Sequence, residues 1–305
     1  MARGWTRVGV AAAVVLVAAE ARGQDEAYRQ GVRKWREERE ARLKADGGWL
    51  TVAGLFWLKE GANRFGTDAA NEIVLPAGTA PPVAGVFLFA AGKTTVEVAP
   101  GARITTGGEP ITRKELKADT SGSADVLALG PLQMHVIERQ DRYAIRLKDM
   151  NNPQRQAFKG LSWFDVDESY RVTARFIPYG AMKPLSVPNV LGYAQKMPSP
   201  GYAVLSVGAK EVRLEGVLED PHASQLFFIF RDLTTGKETY PAGRFLYSDL
   251  PKEGRVVIDF NKAYNPPCAF TPYATCPLPP KENWLRVRIQ AGEKDYGHHP
   301  QKTGP

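Results

Sequence analysis

The chain has few of the residues that most often carry catalysis. Its 305 residues include only two cysteines and four histidines. It has no G-x-S-x-G elbow, no H-E-x-x-H pair, no Walker loop and no G-x-G-x-x-G opening a helix. The standard signatures of hydrolases, zinc peptidases and nucleotide-binding enzymes are therefore excluded. We expect neither a cofactor nor a metal.

Long hydrophobic runs are also missing. The apolar stretch at residues 8–19 holds about a dozen residues, fewer than the roughly 20 that a transmembrane helix needs. It follows Arg3 and Arg7 and precedes the A-x-A site Ala19-Glu20-Ala21, which is the pattern of a secretory signal peptide. The sequence predicts a signal peptide at residues 1–21 and an exported protein, periplasmic or extracellular, without a transmembrane segment.

The charge is basic but dispersed. The chain carries 40 Lys and Arg against 33 Asp and Glu, a net charge of +7. Nucleic-acid binding proteins concentrate such charge in a basic stripe interleaved with aromatic residues. No such stripe is present, so we expect no nucleic-acid partner.

The periodicity predicts an all-β chain preceded by one amphipathic helix. In the helix, residues 22–48, Tyr28 and Trp35 share a face that we expect to pack on the domain that follows. Short β-rich runs separated by Gly, Pro, Asn and Asp then indicate two antiparallel domains of sandwich or barrel type. We place these domains at 49–148 and 170–292, joined by a linker at 149–169 and followed by a disordered tail at 293–305.

The first of these domains resembles a forkhead-associated sandwich. The resemblance lies in Leu58-Lys-Glu-Gly61-Ala-Asn63-Arg-Phe-Gly66, Asn71-Glu-Ile73-Val-Leu75-Pro and the hairpin of Val126-Leu-Ala-Leu-Gly130 with residues 132–137. The family's phosphate-binding Arg and its Ser-x-x-His pair are replaced here by Thr67, Ala80 and Val83. Without a guanidinium to bind phosphate bidentately, we expect a retained scaffold that binds no phosphothreonine peptide.

The mature chain also resembles, over nearly its whole length, a family of bacterial proteins of unknown function. The stretches that carry this resemblance are Gly54-Leu-Phe-Trp57-Leu, Val187-Pro188-Asn189-Val-Leu-Gly192, Phe228-Ile-Phe-Arg231-Asp232-Leu-Thr234-Thr-Gly236-Lys-Glu-Thr239-Tyr240, Gly243-Arg244-Phe-Leu-Tyr247 and the loop at 259–283. The resemblance implies a shared organisation and brings no established activity.

Both cysteines lie in a proline-rich loop at residues 261–280. Its six prolines fix φ and remove backbone donors, so we predict a rigid loop that is neither helix nor central strand. A disulfide between Cys268 and Cys276 is the default in an oxidising compartment. Buried thiols are the alternative, whereas a zinc pair lacks ligands and a nucleophilic Cys268 would need a neighbouring base or cation.

Polar residues around this loop form the candidate site. The run at residues 225–230 has apolar side chains on both faces of the predicted strand, and two charged residues follow it. These charges need partners if the strand is buried on both sides. If the following strands pair as a meander, further polar groups meet these charges at one end of the second domain. The ligand-binding candidates are Arg231, Asp232, Tyr240, Arg244, Tyr264 and Asn265, and the catalytic candidates are Asp232 and Asp259.

This cluster supports several functions. The leading hypothesis is an exported protein that binds a small polar or glycan-like ligand in its second β domain. The alternative is a hydrolase in which Asp232 or Asp259 is the base and Arg231 or Arg244 stabilises anionic charge. An ion-pair network that merely holds the loop, and a structural or interaction protein without a small-molecule site, remain as further alternatives.

Overall fold

The structure, a computed structural model of the chain, describes residues 8–220 and 222–297, with side chains from Asp25 onward. The predicted signal peptide falls on residues 1–7, which lie outside the described residues, and on a helical stretch described by its backbone alone. His298 and His299 also lie outside the described residues. Within the described part, no helix is both long and apolar enough to span a membrane.

The chain is mostly β structure with one long N-terminal helix, which confirms the predicted fold class. The helices are α1, Val8–Lys44, and α2, Pro153–Ala157. After α1 the chain turns at Gly47, whose φ is 74°. A Cβ at Gly48 would lie 2.5 Å from the carbonyl oxygen of Arg42, so the helix end requires these glycines.

The chain forms two compact units. The sandwich unit contains Arg42–Lys159 and Phe270–Ala274. The hairpin unit contains α1 up to Ala41, Gly160–Ala269 and the residues from Thr275 onward.

Eleven strands build the described sandwich unit. They are β1 Val52–Trp57, β2 Gly61–Gly66, β3 Ile73–Val74, β4 Gly85–Ala90, β5 Lys93–Val98, β6 Thr105–Thr106, β7 Glu109–Pro110, β8 Arg113–Leu116, β9 Leu127–Leu129, β10 Leu132–Arg139 and β11 Arg142–Asp149. One sheet has the order β1-β11-β10-β9-β6-β7 and the other β3-β2-β4-β5-β8. Alternate residues of both sheets, such as Phe65, Phe87, Met134 and Ile145, form one buried core between them.

Six strands lie in the described hairpin unit: β12 Arg171–Pro188, β13 Ala194–Val207, β14 Lys210–Gly216, β15 Gln225–Phe230, β16 Arg244–Asp249 and β17 Arg255–Asp259. They form a four-stranded sheet of order β14-β13-β12-β17 and the pair β15-β16. All pairings are antiparallel. Phe176 and Leu214 of the sheet pack with Phe228 and Leu246 of the pair.

The hairpin of β12 and β13 is longer than its sequence suggests, because prolines interrupt the pattern. The ladder is irregular between Pro178 and Lys183, and Pro184 faces Pro198. Beyond Pro178, β12 has no second neighbouring strand in the described part of the chain, since β17 pairs only with its first five residues. A strand edge needs no backbone donor, so proline is tolerated there.

Residues 284–290 do not form a strand: the segment bridges to the rest at Trp284 and bends at Arg286 and Val287. Their alternation is nevertheless kept, because Leu285, Val287 and Ile289 are buried in the core. The ladder is lost where the Ile289 N–H donates to the Asp232 carboxylate instead of a backbone carbonyl, at 2.6 Å.

The expected packing of α1 on the first β domain is wrong. Tyr28 donates its hydroxyl proton to Asp259 at 2.8 Å, and Trp35 lies edge-on to Trp163 with ring centres 5.9 Å apart. Both partners belong to the hairpin unit. A buried carboxylate and an aromatic ring give the helix specific contacts there, which binary patterning alone does not reveal.

Candidate functional site

The structure divides the predicted polar cluster into separate parts. Arg244 and Asp232 come together, because Arg244 begins β16 opposite Phe230, at the end of β15. Arg244 is 1% exposed, and its Nη2 lies 3.4 Å from Asp232 Oδ1. The guanidinium also donates to the carbonyl oxygens of Ala291 and Ile289.

Both oxygens of the Asp232 carboxylate also accept hydrogen bonds from the chain. Oδ1 accepts the Thr234 hydroxyl at 2.7 Å and Oδ2 accepts the Ile289 amide at 2.6 Å. Burial lowers the pKa of Arg244, and the nearby Asp232 carboxylate opposes that effect. A general base needs a free lone pair that faces a substrate, so this closed pair fits an architectural role better than catalysis.

Asp259 is also engaged by its own chain. It ends β17 and accepts hydrogen bonds from the Tyr28 hydroxyl and the Asn261 amide, at 2.8 and 3.1 Å. Burial and the Asp259 charge together raise the pKa of Tyr28. Asp259 therefore connects α1 to the start of the proline-rich loop.

Arg231 and Tyr240 point elsewhere. The guanidinium of Arg231 lies 5.1 Å from the ring centre of Trp284. Tyr240 donates its hydroxyl proton to the carbonyl oxygen of Cys268 at 2.8 Å, and burial raises its pKa. Neither side chain meets the Arg244–Asp232 pair through any contact found among the described residues.

Tyr264 and Asn265 meet two charged residues that sequence analysis did not associate with them. Arg39 of α1 donates from Nη2 to the Asn265 carbonyl at 2.9 Å, and its guanidinium lies 4.6 Å from the Tyr264 ring centre. Arg39 Nε lies 3.4 Å from Glu293 Oε2. The four residues form a buried acid–arginine cluster.

The structure differs at Glu293 from the prediction of a disordered tail at residues 293–305. The Glu293 side chain is fully buried, and its amide donates to the Ala263 carbonyl at 2.8 Å. Burial raises its pKa to about 7, although the Arg39 charge opposes the shift. The alternation of Leu285, Val287, Ile289 and Ala291 continues to Glu293, so extending that pattern by one step would have predicted its burial.

Aromatic rings connect this cluster to an exposed acid. Tyr264 stacks on Tyr247 with ring centres 6.3 Å apart and an interplanar angle of 16°. Tyr247 donates its hydroxyl proton to the exposed Glu219 at 2.8 Å. Desolvation raises the pKa of both tyrosines, so they remain neutral donors.

The two cysteines are thiols in the structure, without the expected disulfide. They are nevertheless neighbours, because the Cys268 amide donates to the Cys276 sulfur at 3.3 Å. Six prolines and the Tyr240 hydrogen bond also restrict the conformation of this loop. No group of three or more His, Cys, Asp or Glu side chains in the described ranges could hold a metal.

An open groove lies at the end of the four-stranded sheet in the hairpin unit. Its volume is about 550 Å³. Its apolar lining consists of Tyr170, Val172, Val207, Leu233 and Val287, and its polar lining includes Asp167, Ser169, Lys210, Arg286 and Arg288. Sequence analysis missed the groove because its residues come from four separated segments, none of which carries a motif.

The cations of the groove differ in their partners. Arg288 forms an ion pair with Glu238. Lys210 and Arg286 form no ion pair or side-chain hydrogen bond within the described ranges. Lys210 and Arg286, which have no ion-pair partner in the described chain, lie beside an apolar floor and can attract an anion, although Asp167 adds one carboxylate to the same lining.

Among solved structures, the chain is similar to an uncharacterised archaeal protein. The solution NMR structure of the uncharacterized protein from gene locus rrnAC0354 of Haloarcula marismortui is 31% identical, with a TM-score of 0.40. The match covers 47% of this chain and 81% of that protein. None of the curated proteins matches the chain.

Two forkhead-associated domain structures also match. One is the FhaA domain in complex with the intracellular domain of Rv3910, and the other comes from a study of phosphothreonine-dependent interactions. Both are 15% identical with TM-scores of 0.23, and both cover 31% of this chain and 97% and 92% of their own lengths. At these scores the matches carry no argument about what this chain binds.

A family model described as protein of unknown function (DUF1684) matches residues 156–294. The resemblance to such a family, expected over nearly the whole mature chain, is therefore found over the C-terminal part only. That part contains β12 to β17, the proline-rich loop and the groove. Residues 156–294 therefore carry a domain of unknown function, the one that the DUF1684 model describes.

Proposed function

We propose that this protein is an exported binding protein that holds a small, polar, anionic ligand in the groove of its hairpin unit. The observation that carries the proposal is an open cavity of about 550 Å³ whose lining includes two cations, Lys210 and Arg286, that form no ion pair among the described residues. Ligand sites in proteins commonly have volumes of 300–1,000 Å³, roughly this range. The proposed export rests on the signal-peptide pattern of residues 1–21.

The lining of the groove favours a ligand with both apolar and acidic parts. Val172, Val207 and Val287 provide an apolar floor that can cover the carbon skeleton of a ligand. Lys210 and Arg286 on the rim can bind a carboxylate or phosphate, and the Arg286 guanidinium can do so through two parallel hydrogen bonds. A sugar acid combines these properties.

Binding is tested by thermal unfolding and calorimetry with glucuronate, using glucose as the neutral analogue. We expect millimolar glucuronate to raise Tm and glucose to leave it unchanged, because only the acid complements the cations. The double variant Lys210→Gln, Arg286→Gln should bind about tenfold more weakly, equivalent to about 1.4 kcal/mol. Lys252→Gln, an exposed lysine outside the groove, is the matched control. If no sugar acid or small anion stabilised the protein, the proposal would fail.

Acid–base catalysis is a second candidate, favoured by the raised pKa of Glu293. A carboxyl group with a pKa of about 7 can exchange a proton near neutral pH, and Arg39 and Tyr264 are placed to stabilise charge beside it. Substrates would have to reach a side chain that is now fully buried. Turnover of aryl esters or glycosides that is lost in Glu293→Gln would support this function over binding alone.

The hydrolase hypothesis based on Asp232 or Asp259 has less support. Both carboxylates accept hydrogen bonds from their own chain, and Arg244 is fully enclosed. Activity through them would require these networks to open. Asp232→Asn and Asp259→Asn variants with undiminished turnover of a confirmed substrate would exclude it.

A further inference from the structure

A short parallel ladder extends the groove along the surface of the hairpin unit. Residues 231–233 lie beside residues 283–287, with a parallel bridge between Arg231 and Trp284. The Arg231 amide donates to the Asn283 carbonyl at 3.1 Å, and the Leu233 amide donates to the Val287 carbonyl at 2.9 Å. Backbone hydrogen bonds thus hold the two segments together as one rigid surface.

In both segments, buried side chains alternate with side chains that face solvent. Asp232 and Thr234 of one segment, and Leu285, Val287 and Ile289 of the other, are buried. The residues between them face solvent: Leu233, Trp284, Arg286 and Arg288 are exposed, and Arg231 is half-buried. We call this outward set the arginine–tryptophan face: Arg231, Leu233, Trp284, Arg286 and Arg288.

Trp284 presents its ring rather than its polar edge. The side chain is 51% exposed, while its indole N–H donates to the Pro279 carbonyl at 3.1 Å. Arg231 lies 5.1 Å from the ring centre. With the N–H satisfied by the chain, the ring is held in a fixed orientation and its exposed surface is suited to stacking.

The face carries charge that the chain leaves uncompensated. Neither Arg231 nor Arg286 forms an ion pair within the described part of the hairpin unit, whereas Arg288 is paired with Glu238. Leu233, Arg286 and Arg288 also line the groove, so the face and the groove are one continuous surface. A ligand longer than the groove would cross Arg231 and Trp284.

We propose that the arginine–tryptophan face binds an acidic glycan, a chain of sugar units that carry carboxylates, one end of which enters the groove. Trp284 stacks on the apolar face of one sugar ring, and Arg231 and Arg286 bind carboxylates on either side of it. This inference rests on the proposed function and names its ligand class.

An anionic membrane surface fits the same face less well. Leu233 and Trp284 are its only exposed large apolar residues, and the Trp284 N–H is turned toward the chain instead of toward headgroups. Discrete acids between neutral rings, spaced along a chain, match the separated arginines better.

The test measures affinity against ligand length by calorimetry, using galacturonate and its oligomers of two to six units. Neutral cello-oligosaccharides of the same lengths and phosphatidylglycerol vesicles are the comparisons. We expect binding to tighten about tenfold from the monomer to the tetramer, corresponding to about 1.4 kcal/mol. Trp284→Ala should abolish that gain while leaving monomer affinity unchanged, and Trp284→Phe should retain most of it. Met182→Ala, which removes another exposed apolar side chain, is the control.

The outcomes separate this inference from the proposed function. The proposal for the arginine–tryptophan face would be overturned if the monomer bound in the groove but affinity did not increase with oligomer length. It would also be overturned if affinity increased equally with neutral oligosaccharides. Either result would leave the proposed function of the groove standing. Vesicle binding that requires Trp284, without oligomer binding, would replace the glycan by a membrane. Absence of binding to monomer and oligomers alike would overturn both proposals.

Discussion

At the scale of single residues, burial decides the properties of the charged side chains in the hairpin unit. Arg39 and Glu293 meet in the same buried cluster, yet burial still raises the pKa of Glu293 to about 7. Arg244 and Asp232 are buried and bonded to the Ile289 carbonyl, the Thr234 hydroxyl and the Ile289 amide, and only Arg244 Nε of this pair lacks a hydrogen-bond partner among the described residues. Glu293 of the first pair can therefore exchange a proton near neutral pH, whereas the second pair is held in place by its hydrogen bonds.

The pH dependence of stability tests the state of Glu293. Its pKa is raised from 4.5 in the unfolded chain to about 7 in the folded one, so the folded state binds the extra proton between these pH values. The resulting stabilisation is complete below pH 4.5 and is lost as the pH rises through 7. Relative to Glu293→Gln, which does not titrate, the wild type should lose about 3 kcal/mol of unfolding free energy over this window.

Urea unfolding of both proteins at pH 4.5, 6 and 8 measures the difference. Arg39 is present in both proteins, so the two differ only at residue 293. A wild type that gains stability over the variant as the pH rises would mean that Glu293 is ionised in the folded protein and that its pKa is lowered.

Removing one partner of the Arg244–Asp232 pair should be costly. Arg244→Gln leaves the Asp232 carboxylate buried without its cation, and we expect the free energy of unfolding to fall by about 3–5 kcal/mol. Arg231→Gln, a change of the same chemistry at a half-buried site with no ion pair in the described chain, is the matched control. Equal stability of the two variants by urea unfolding would contradict the architectural role of the pair.

At the scale of secondary-structure elements, α1 is held by side chains that recur on one helical face. Tyr28, Trp35 and Arg39 each contact the hairpin unit, through Asp259, Trp163 and Asn265 respectively. The proline-rich loop supplies part of this surface. Helix and loop therefore stabilise each other, and the buried acid lies where they meet.

Truncating Trp35 tests this docking. Trp35→Ala removes the edge-on contact with Trp163 and the contact with Tyr264, and should cost about 2 kcal/mol, because the side chain is only half-buried. Lys34→Ala, at the adjacent exposed position, should leave stability unchanged. Unfolding by urea compares the two, and an equal loss in both would show that α1 is not docked by this face.

The disulfide between Cys268 and Cys276 stays a prediction. Their backbone proximity places the two residues within reach of each other, and a bridge across so short a loop should add about 2–3 kcal/mol by restricting the unfolded chain. Intact mass after alkylation, with and without reduction, checks it in protein recovered from an oxidising compartment. Alkylation of both thiols before reduction would mean that the prolines alone hold the loop.

At the scale of the whole molecule, the sequence predicts elements better than it predicts their meeting points. Apolar patterns at residues 132–137 and 225–230 locate β10 and β15 to within a few residues, because the pattern follows directly from burial of one or both strand faces. The prolines of β12 and β13 conceal half of the long hairpin. Edge position, which makes those prolines acceptable, is a tertiary property.

The candidate site shows the same limit. The pairing of Arg244 with Asp232 follows from the meander that the sequence suggests, whereas the partners of Tyr264 and Asn265 come from α1 and from residue 293. Contacts between segments more than 200 residues apart leave no local signal. The groove is assembled in the same way, from turns and strand ends of four separated segments.

The central claim is that ligand is bound by the open groove and the arginine–tryptophan face, and not by the buried acid–arginine cluster. Amide chemical-shift mapping of labelled protein, titrated with a galacturonate tetramer, tests it most directly. The account predicts shifts confined to residues 208–210, 231–233 and 284–288. Shifts centred on Arg39, Tyr264 and Glu293 would contradict it, and would place the function in the buried cluster instead.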